Sequence, residues 1–264
     1  MPGSPAKTIG LSDHLAAKCA ALKQRKYRDL ENAFLAQGVR LCEEAFASNA
    51  KIRHVIVTQE ARQQDRVSQL LGKMQDAGLV IRQATPRQLK AISDEKNPHG
   101  LLLVIEKPAL RMMELTSKLV VACENIQDPG NLGTLLRTAG WFGVKDILLS
   151  GGCVDPYNGK VVRGSMGAIF RSHIFFNIDL CSAILRLRQD GYRAIGTMAN
   201  AGIPIGDASP SGKDILIVGN EANGLSPELQ RSVQLSVRIP GQGDGESLNV
   251  AVAAAICLYH FTQI

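Results

Sequence analysis

At 264 residues, 45% hydrophobic and 20% charged, with a mean hydropathy of +0.01, the chain reads as globular, with room for two ordinary domains. That composition excludes a disordered or fibrous protein. No apolar run approaches the roughly 18 residues of a membrane span, and the opening Met-Pro-Gly-Ser-Pro-Ala-Lys lacks the apolar core of a signal peptide, so a cytoplasmic protein off the membrane is expected.

The net charge of +6 is uneven: up to Lys118 there are 19 Lys and Arg against 12 Asp and Glu, and after it 11 against 12. Glycine does the opposite, with 6 of 25 before Lys118. A basic, glycine-poor module therefore precedes a near-neutral, glycine-rich one. Basic surface fits an anionic partner, nucleic acid first, although a solvated basic face explains the charge equally well.

In chain order, residues 11–30 read as a helix with a basic end, Lys-Gln-Arg-Lys-Tyr-Arg, which holds Arg25, Lys26 and Arg28. A helix at 39–46, the β-branched strand HVIVT at 54–58 and a long helix at 61–77 follow. A short strand at 79–82, a helix opening at Pro86 and the buried strand LLLVI at 101–105 complete an α/β unit. Pro108 and the segment after it suit a linker. The expected division is 1–107, a linker at 108–117, and 118–264.

From 119 the alternation restarts: strand LVVAC, a helix over 132–142, strand DILLS at 146–150, a helix at 179–189, and strands at 192–197 and 214–219. A short helix after Ser226-Pro227, a strand at 235–239 and a last helix from about Leu248 end the chain. Short apolar strands alternating with helices predict a mostly parallel sheet covered on both faces. The last helix, VAVAAAICLYHF, is apolar nearly all round, which predicts burial in the core or across a subunit interface.

The six cysteines (Cys19, Cys42, Cys123, Cys153, Cys181, Cys257) form no C-x-x-C, and the five histidines show no ligand spacing. Reduced, mostly buried thiols and no metal are expected.

Chemistry concentrates in three loops at the ends of strands, where open parallel sheets bind ligands. In NIQDPGNLGTLLR at 125–137, Leu132, Leu135, Leu136 and Ala139 form a buried stripe, while Arg137 lies on another face between Gly133 and Gly140. That arginine is open to a large anion, and its fork suits phosphate. A surface arginine on a closely packed helix is the plainer account. In GNEANGLS at 219–226 a buried strand delivers Glu221 to its end, as a ligand acceptor or as a cap. In IPGQGDGESLN at 239–249, Gly241, Gly243 and Gly245 do not make a dinucleotide fingerprint, which belongs to a first strand with an acid about 20 residues on. The loop instead feeds Ser247 and Asn249 into a helix N-terminus.

Together and in order, these segments resemble the three motifs of the SpoU/TrmH family of RNA 2′-O-ribose methyltransferases: N-x-x-D-P-x-N-x-G-x-x-x-R at 125–137, G-N-E-x-x-G-L-S at 219–226, and I-P followed by S-L-N-V within 239–250. The segment VVRGSMGA at 161–168 is similar to the family's stretch between its first two motifs. FLAQGVRLCEEAF at 34–46 resembles, more loosely, the family's small RNA-binding domain, which is akin to certain large-subunit ribosomal proteins. Gln37, Ala251 and Gly241 depart from the residues usual there, and none removes a catalytic group.

The resemblance implies an α/β fold whose C-terminal sheet is threaded into a deep trefoil knot, a homodimer, and S-adenosylmethionine bound by Thr197, Gly219, Ile239 and Leu248. It implies methyl transfer to a ribose 2′-hydroxyl, with Arg137 at the hydroxyl and its phosphate, and with Asn131, Glu221, Ser247 and Asn249 orienting the reactants. Arg137 acts as general base or as electrostatic activator. Guanidinium groups stay protonated below about pH 12, which favours the second. Arg25, Lys26, Arg28 and Arg163 are the candidates for RNA contact. The extra N-terminal module favours ribosomal RNA over tRNA as substrate, and a non-catalytic RNA-binding or ribosome-assembly protein is the rival from another class.

Overall fold

A computed structural model describes residues 9–109, 115, 117–198, 201–220, 223–243 and 247–263. They fall into two units, Met1–Ala109 with Tyr157–Phe170, and Leu110–Pro156 with Arg171–Ile264. Most of the expected linker lies outside the described residues.

The first unit runs β1 (Ile9–Gly10), α1 (Asp13–Ala21), α2 (Arg25–Leu30), β2 (Ala33–Gln37), α3 (Val39–Ala47), β3 (Ile52–Thr58), α4 (Gln59–Arg62), α5 (Asp65–Asp76), β4 (Ile81–Ala84), α6 (Pro86–Ile92) and β5 (Leu101–Glu106). Its sheet has the order β1-β4-β3-β5-β2; β1, β4 and β3 pair in parallel, and β5 is antiparallel to both β3 and β2. The helix starts follow local chemistry. Thr85 and Gln88 form a capping box around Pro86 at the head of α6, and Ser12 accepts the Leu15 N–H at the head of α1.

Three expectations shift here. The helix expected over 11–30 is two helices, because the chain turns at 22–24 and the buried Arg28 guanidinium donates to the carbonyls of Leu22 and Lys23 at 2.9 and 2.8 Å. The helix expected over 61–77 is likewise split into α4 and α5. Strand β2, Ala-Phe-Leu-Ala-Gln, has no counterpart among the expected elements, since it carries no β-branched residue to mark it.

The second unit supplies β6 (Leu119–Cys123), α7 (Pro129–Trp141) and β7 (Asp146–Ser150). After α8 (Gly159–Gly164), which groups with the first unit, come β8 (His173–Ile178), α9 (Leu180–Gln189), β9 (Arg193–Thr197), β10 (Ile203–Pro204), β11 (Asp214–Val218), α10 (Pro227–Ser232), β12 (Leu235–Arg238) and α11 (Val250–Phe261). The seven strands lie in the order β10-β12-β9-β11-β6-β7-β8, every pairing parallel. Central strands β6 and β11 are buried at every position, as parallel strands covered on both faces must be.

Tyr157–Phe170 joins the first unit through aromatic packing: the Phe34 ring lies 4.8 Å from Tyr157 and 6.3 Å from Phe170. Helix α11 buries Val250, Ala254, Cys257, Leu258 and Phe261, but in the single chain Val252, Ile256 and Tyr259 stay exposed. Among the described residues no helix is long and apolar enough to cross a membrane. All six cysteines are free thiols, five of them buried.

Candidate active site

Helix α7 begins with Asp128 as its cap, the carboxylate accepting the Asn131 N–H at 2.9 Å, and Pro129 at its first position. Leu132, Leu135, Leu136 and Ala139 are fully buried, which fixes the helix's rotation. Arg137 is therefore exposed, and its guanidinium has no hydrogen-bond or ion-pair partner among the described residues.

The three loops are tied together by side-chain amides and one carboxylate. Asn249 spends its Oδ1 on capping α11, accepting the N–H groups of Ala251 and Val252, and donates Nδ2 to Asn131 Oδ1 at 2.9 Å. The first and third loops are thus fixed to each other across 118 residues of sequence. Asn220 donates to the Asn125 carbonyl at 2.9 Å while its backbone pairs with Gly224 in both directions. Glu124 accepts the Ser226 N–H at 2.7 Å. Asn125 holds a left-handed φ of 55°, which asparagine tolerates, and its N–H donates to the Ser150 hydroxyl. Glu124, Asn220 and Ser150 are site residues that sequence reasoning misses. Asn220 stands inside the second motif and Glu124 directly before the first, the one signal available for either.

Thr197, Gly219 and Ile239 sit at the C-terminal ends of the neighbouring parallel strands β9, β11 and β12, respectively, or directly after them. Gly219 has no room for a side chain: a Cβ there would lie 2.4 Å from the Gly224 backbone. Thr197 donates its hydroxyl to the Ile217 carbonyl. Ile239 is half-buried, and Leu248, ahead of α11, is half-exposed. Backbone edges and aliphatic side chains, with no cation among these four residues, fit a nucleoside carrying a positive sulfonium. Among the described residues no group of three or more His, Cys, Asp and Glu could hold a metal ion.

Ser247 is exposed beside Leu248, and Glu221 lies outside the described residues. Burial raises the thiols of Cys123, at the root of the first loop, and of Cys153, in the turn after β7, above the usual range, so both stay protonated at neutral pH. The candidate RNA contacts separate. Arg25 and Lys26 are exposed on α2, whereas Arg28 is buried against the end of α1. Arg163 pairs with Asp94 at 2.6 Å and with Glu95 at 3.6 Å.

Residues 118–259 match the SpoU rRNA Methylase family, and residues 17–103 match the MRM3-like substrate binding domain. The chain is 32% identical over 239 residues to the 23S rRNA (guanosine(2553)-2′-O)-methyltransferase RlmP of Bacillus subtilis, covering 90% of this chain and 92% of that protein. A putative RNA methyltransferase of the TrmH family from Porphyromonas gingivalis superposes with a TM-score of 0.81 at 29% identity, covering 95% of this chain and 98% of that one. The AdoMet-bound rRNA methyltransferase of Sinorhizobium meliloti superposes at 0.82 with 27% identity, covering 96% of each.

Proposed function

The chain belongs to the SpoU rRNA methylase family, and from that premise we propose that it methylates a ribose 2′-hydroxyl of large-subunit ribosomal RNA, with residues 118–264 catalytic and residues 1–107 binding the substrate. The observation that carries the reading is an exposed Arg137, free of partners among the described residues, on the helix whose first turn holds Asn131 against Asn249.

S-adenosylmethionine, when bound, supplies the methyl group: its sulfur–carbon bond breaks as the bond to the 2′-oxygen forms, and the hydroxyl proton leaves. Thr197, Gly219, Ile239 and Leu248 would hold it, mostly through backbone groups. Arg137 would grip the 2′-oxygen and the adjacent phosphate with its fork, stabilising the charge that develops as the proton passes to water. Asn131 and Asn249, joined to each other, would keep the arginine's helix and the substrate ribose in line, with Ser247 and Glu221 beside them.

We infer further that the second unit is knotted, as the family resemblance implies, that the first is of the ribosomal-protein-like RNA-binding kind, and that the protein works in the cytoplasm. A homodimer would cover the exposed Val252, Ile256 and Tyr259 of α11 together with Trp141, 85% exposed on α7; sedimentation of the wild-type protein as a monomer would contradict it.

The test is methyl transfer from labelled S-adenosylmethionine to bulk ribosomal RNA and to bulk tRNA, followed by nucleoside analysis. Label in a 2′-O-methylnucleoside of ribosomal RNA is expected, and Arg137→Ala should lose about 100- to 1000-fold in kcat with cofactor affinity kept. Label in tRNA alone would move the substrate, and no label with no cofactor binding would leave an RNA-binding protein.

A further inference from the structure

The first unit holds a cavity of about 820 Å³, inside the range of roughly 300–1,000 Å³ that takes small organic ligands. Its apolar walls come from Val39, Leu41, Ala61, Leu89, Pro98 and Met166. Met166 stands there with a φ of 49°, a backbone conformation an unbranched side chain adopts at a cost.

One wall is polar and already fixed. Gln37 is buried, its Oε1 accepting from Ser93 at 2.5 Å and its Nε2 donating to Asp94 at 2.6 Å. The same Asp94 oxygen takes Arg163 at 2.6 Å. Arg163 is therefore held at the cavity by a network that needs no ligand to order it, which lowers the cost of binding one. Around the opening stand the exposed Arg40, His99 and Gln64, with Glu60 the one acid of the lining. No side chain caps the head of α3 beside them.

We propose that this cavity takes one unpaired nucleotide of the RNA substrate, its base against the apolar walls and its phosphate toward Arg40 and Arg163. The choice of RNA rests on the methyltransferase reading above; the choice of an unpaired nucleotide rests on the cavity. An apolar recess whose lining holds the exposed Arg40 and an Arg163 fixed by Asp94 and Glu95 accepts a planar base that has left its stack, and is too small for a duplex. Phosphate contacts position RNA without reading it, whereas unstacked bases can be enclosed and read. No residue of the three methylation loops lines the cavity, so its contact with the RNA is one those loops do not make.

Val39→Trp and Gln64→Trp, made separately in the full chain, each put an indole into the cavity from its rim without removing a hydrogen bond that holds the unit together. The probe is in vitro transcribed large-subunit ribosomal RNA, with filter retention for binding and methyl transfer for KM. Both variants should weaken RNA binding and raise the RNA KM about tenfold or more, the loss expected when a base's apolar surface stays in water. Their S-adenosylmethionine affinity and melting temperature should stay at wild-type values. Ultraviolet cross-linking of 4-thiouridine-substituted RNA should label peptides from 37–41, 58–64 or 98–99, and Val39→Trp should erase that label. Wild-type RNA binding in both variants overturns the proposal and returns the cavity to a small-molecule ligand. Should the wild-type chain transfer no methyl group, the methyltransferase reading fails, while retention and cross-linking still decide what the cavity binds.

Discussion

The second unit joins its loops through neutral amides at helix starts and after strands: Asn131 to Asn249, and Asn220 to the Asn125 carbonyl, with Glu124 on a backbone N–H as the one charged member. The first unit carries ion pairs at least one of whose partners is open to water, Arg66 with Glu43, Lys107 with Asp29 and Arg53 with Glu106. The Arg66 guanidinium holds the Glu43 carboxyl below its usual range, and Lys107 does the same for Asp29. Exposed pairs of this kind contribute little and can be exchanged or reversed in sign. Hydrogen bonds from amide side chains between loops are directional, each needing a donor and an acceptor at bonding distance. The loops of the second unit are thus tied by directional amide hydrogen bonds, whereas the first unit carries ion pairs beside its buried Gln37 network; the second unit's own ion pair, Arg193 with the buried Asp214 at 2.9 Å, lies between strands and not between these loops.

Removing that geometry at its tightest point should have the largest effect. Gly219→Ala puts a Cβ 2.4 Å from the Gly224 carbon and oxygen, so strand β11 or the turn after it must move. We expect S-adenosylmethionine affinity to fall by about 100-fold or more, equivalent to about 2.7 kcal/mol, while thermal unfolding stays cooperative. Titration calorimetry measures the first and circular dichroism the second. Near-wild-type cofactor affinity would break the claim that backbone position carries this site.

Arg28 gives the next largest effect and tests the contrast from the other side. It belongs to the basic run, yet it is buried and donates to two carbonyls at the end of α1, where a cation also meets the negative end of the helix dipole. Arg28→Ala should cost about 2–3 kcal/mol in urea unfolding, because the carbonyls lose charged donors. Lys26→Ala, two residues away and exposed, should leave stability unchanged and flatten the salt dependence of RNA binding by about one counterion. Equal effects from the two substitutions would show that the run acts as one surface.

The same contrast explains what is legible in the sequence. The central strands of the second unit announce themselves as unbroken apolar runs, LVVAC and the ILIV that follows Asp214, since parallel strands are buried on both faces. The helical spacing of Leu132, Leu135, Leu136 and Ala139 is enough by itself to set the rotation of α7, and with it the exposure of Arg137. Strand β2 is illegible because it carries no β-branched residue, whereas β8, HIFFNI, carries two isoleucines and two phenylalanines and goes unread all the same. Which amides face each other is equally hidden. Asn131 and Asn249 stand in two separate motifs, but their bond depends on how α7 meets α11, a tertiary fact with no local signature. The place of Tyr157–Phe170 in the first unit is invisible for the same reason, resting on rings that meet Phe34 from 120 or more residues away. Arg28 reads as surface because charge in a basic run looks alike whether it is solvated or spent on carbonyls.

The smallest effect separates the units most cleanly. A double-mutant cycle on Asn131→Ala and Asn249→Ala should give a coupling of about 1 kcal/mol in unfolding free energy, the ordinary worth of a neutral hydrogen bond. Asn249→Ala alone should cost more than Asn131→Ala, since it also removes the cap of α11. A neutral pair is barely screened, so the coupling should persist in about 0.5 M salt. The parallel cycle on Glu43 and Arg66 should give a smaller coupling that the same salt removes, although the two side chains form a bidentate contact at 2.7 and 2.5 Å. The shorter contact should therefore be the weaker one in salt, because its partners are charged and screened, whereas the Asn131–Asn249 bond, exposed as well, is neutral. If the ion pair instead couples more strongly and resists salt, the first unit is held by geometry as well, and the division drawn between the two disappears.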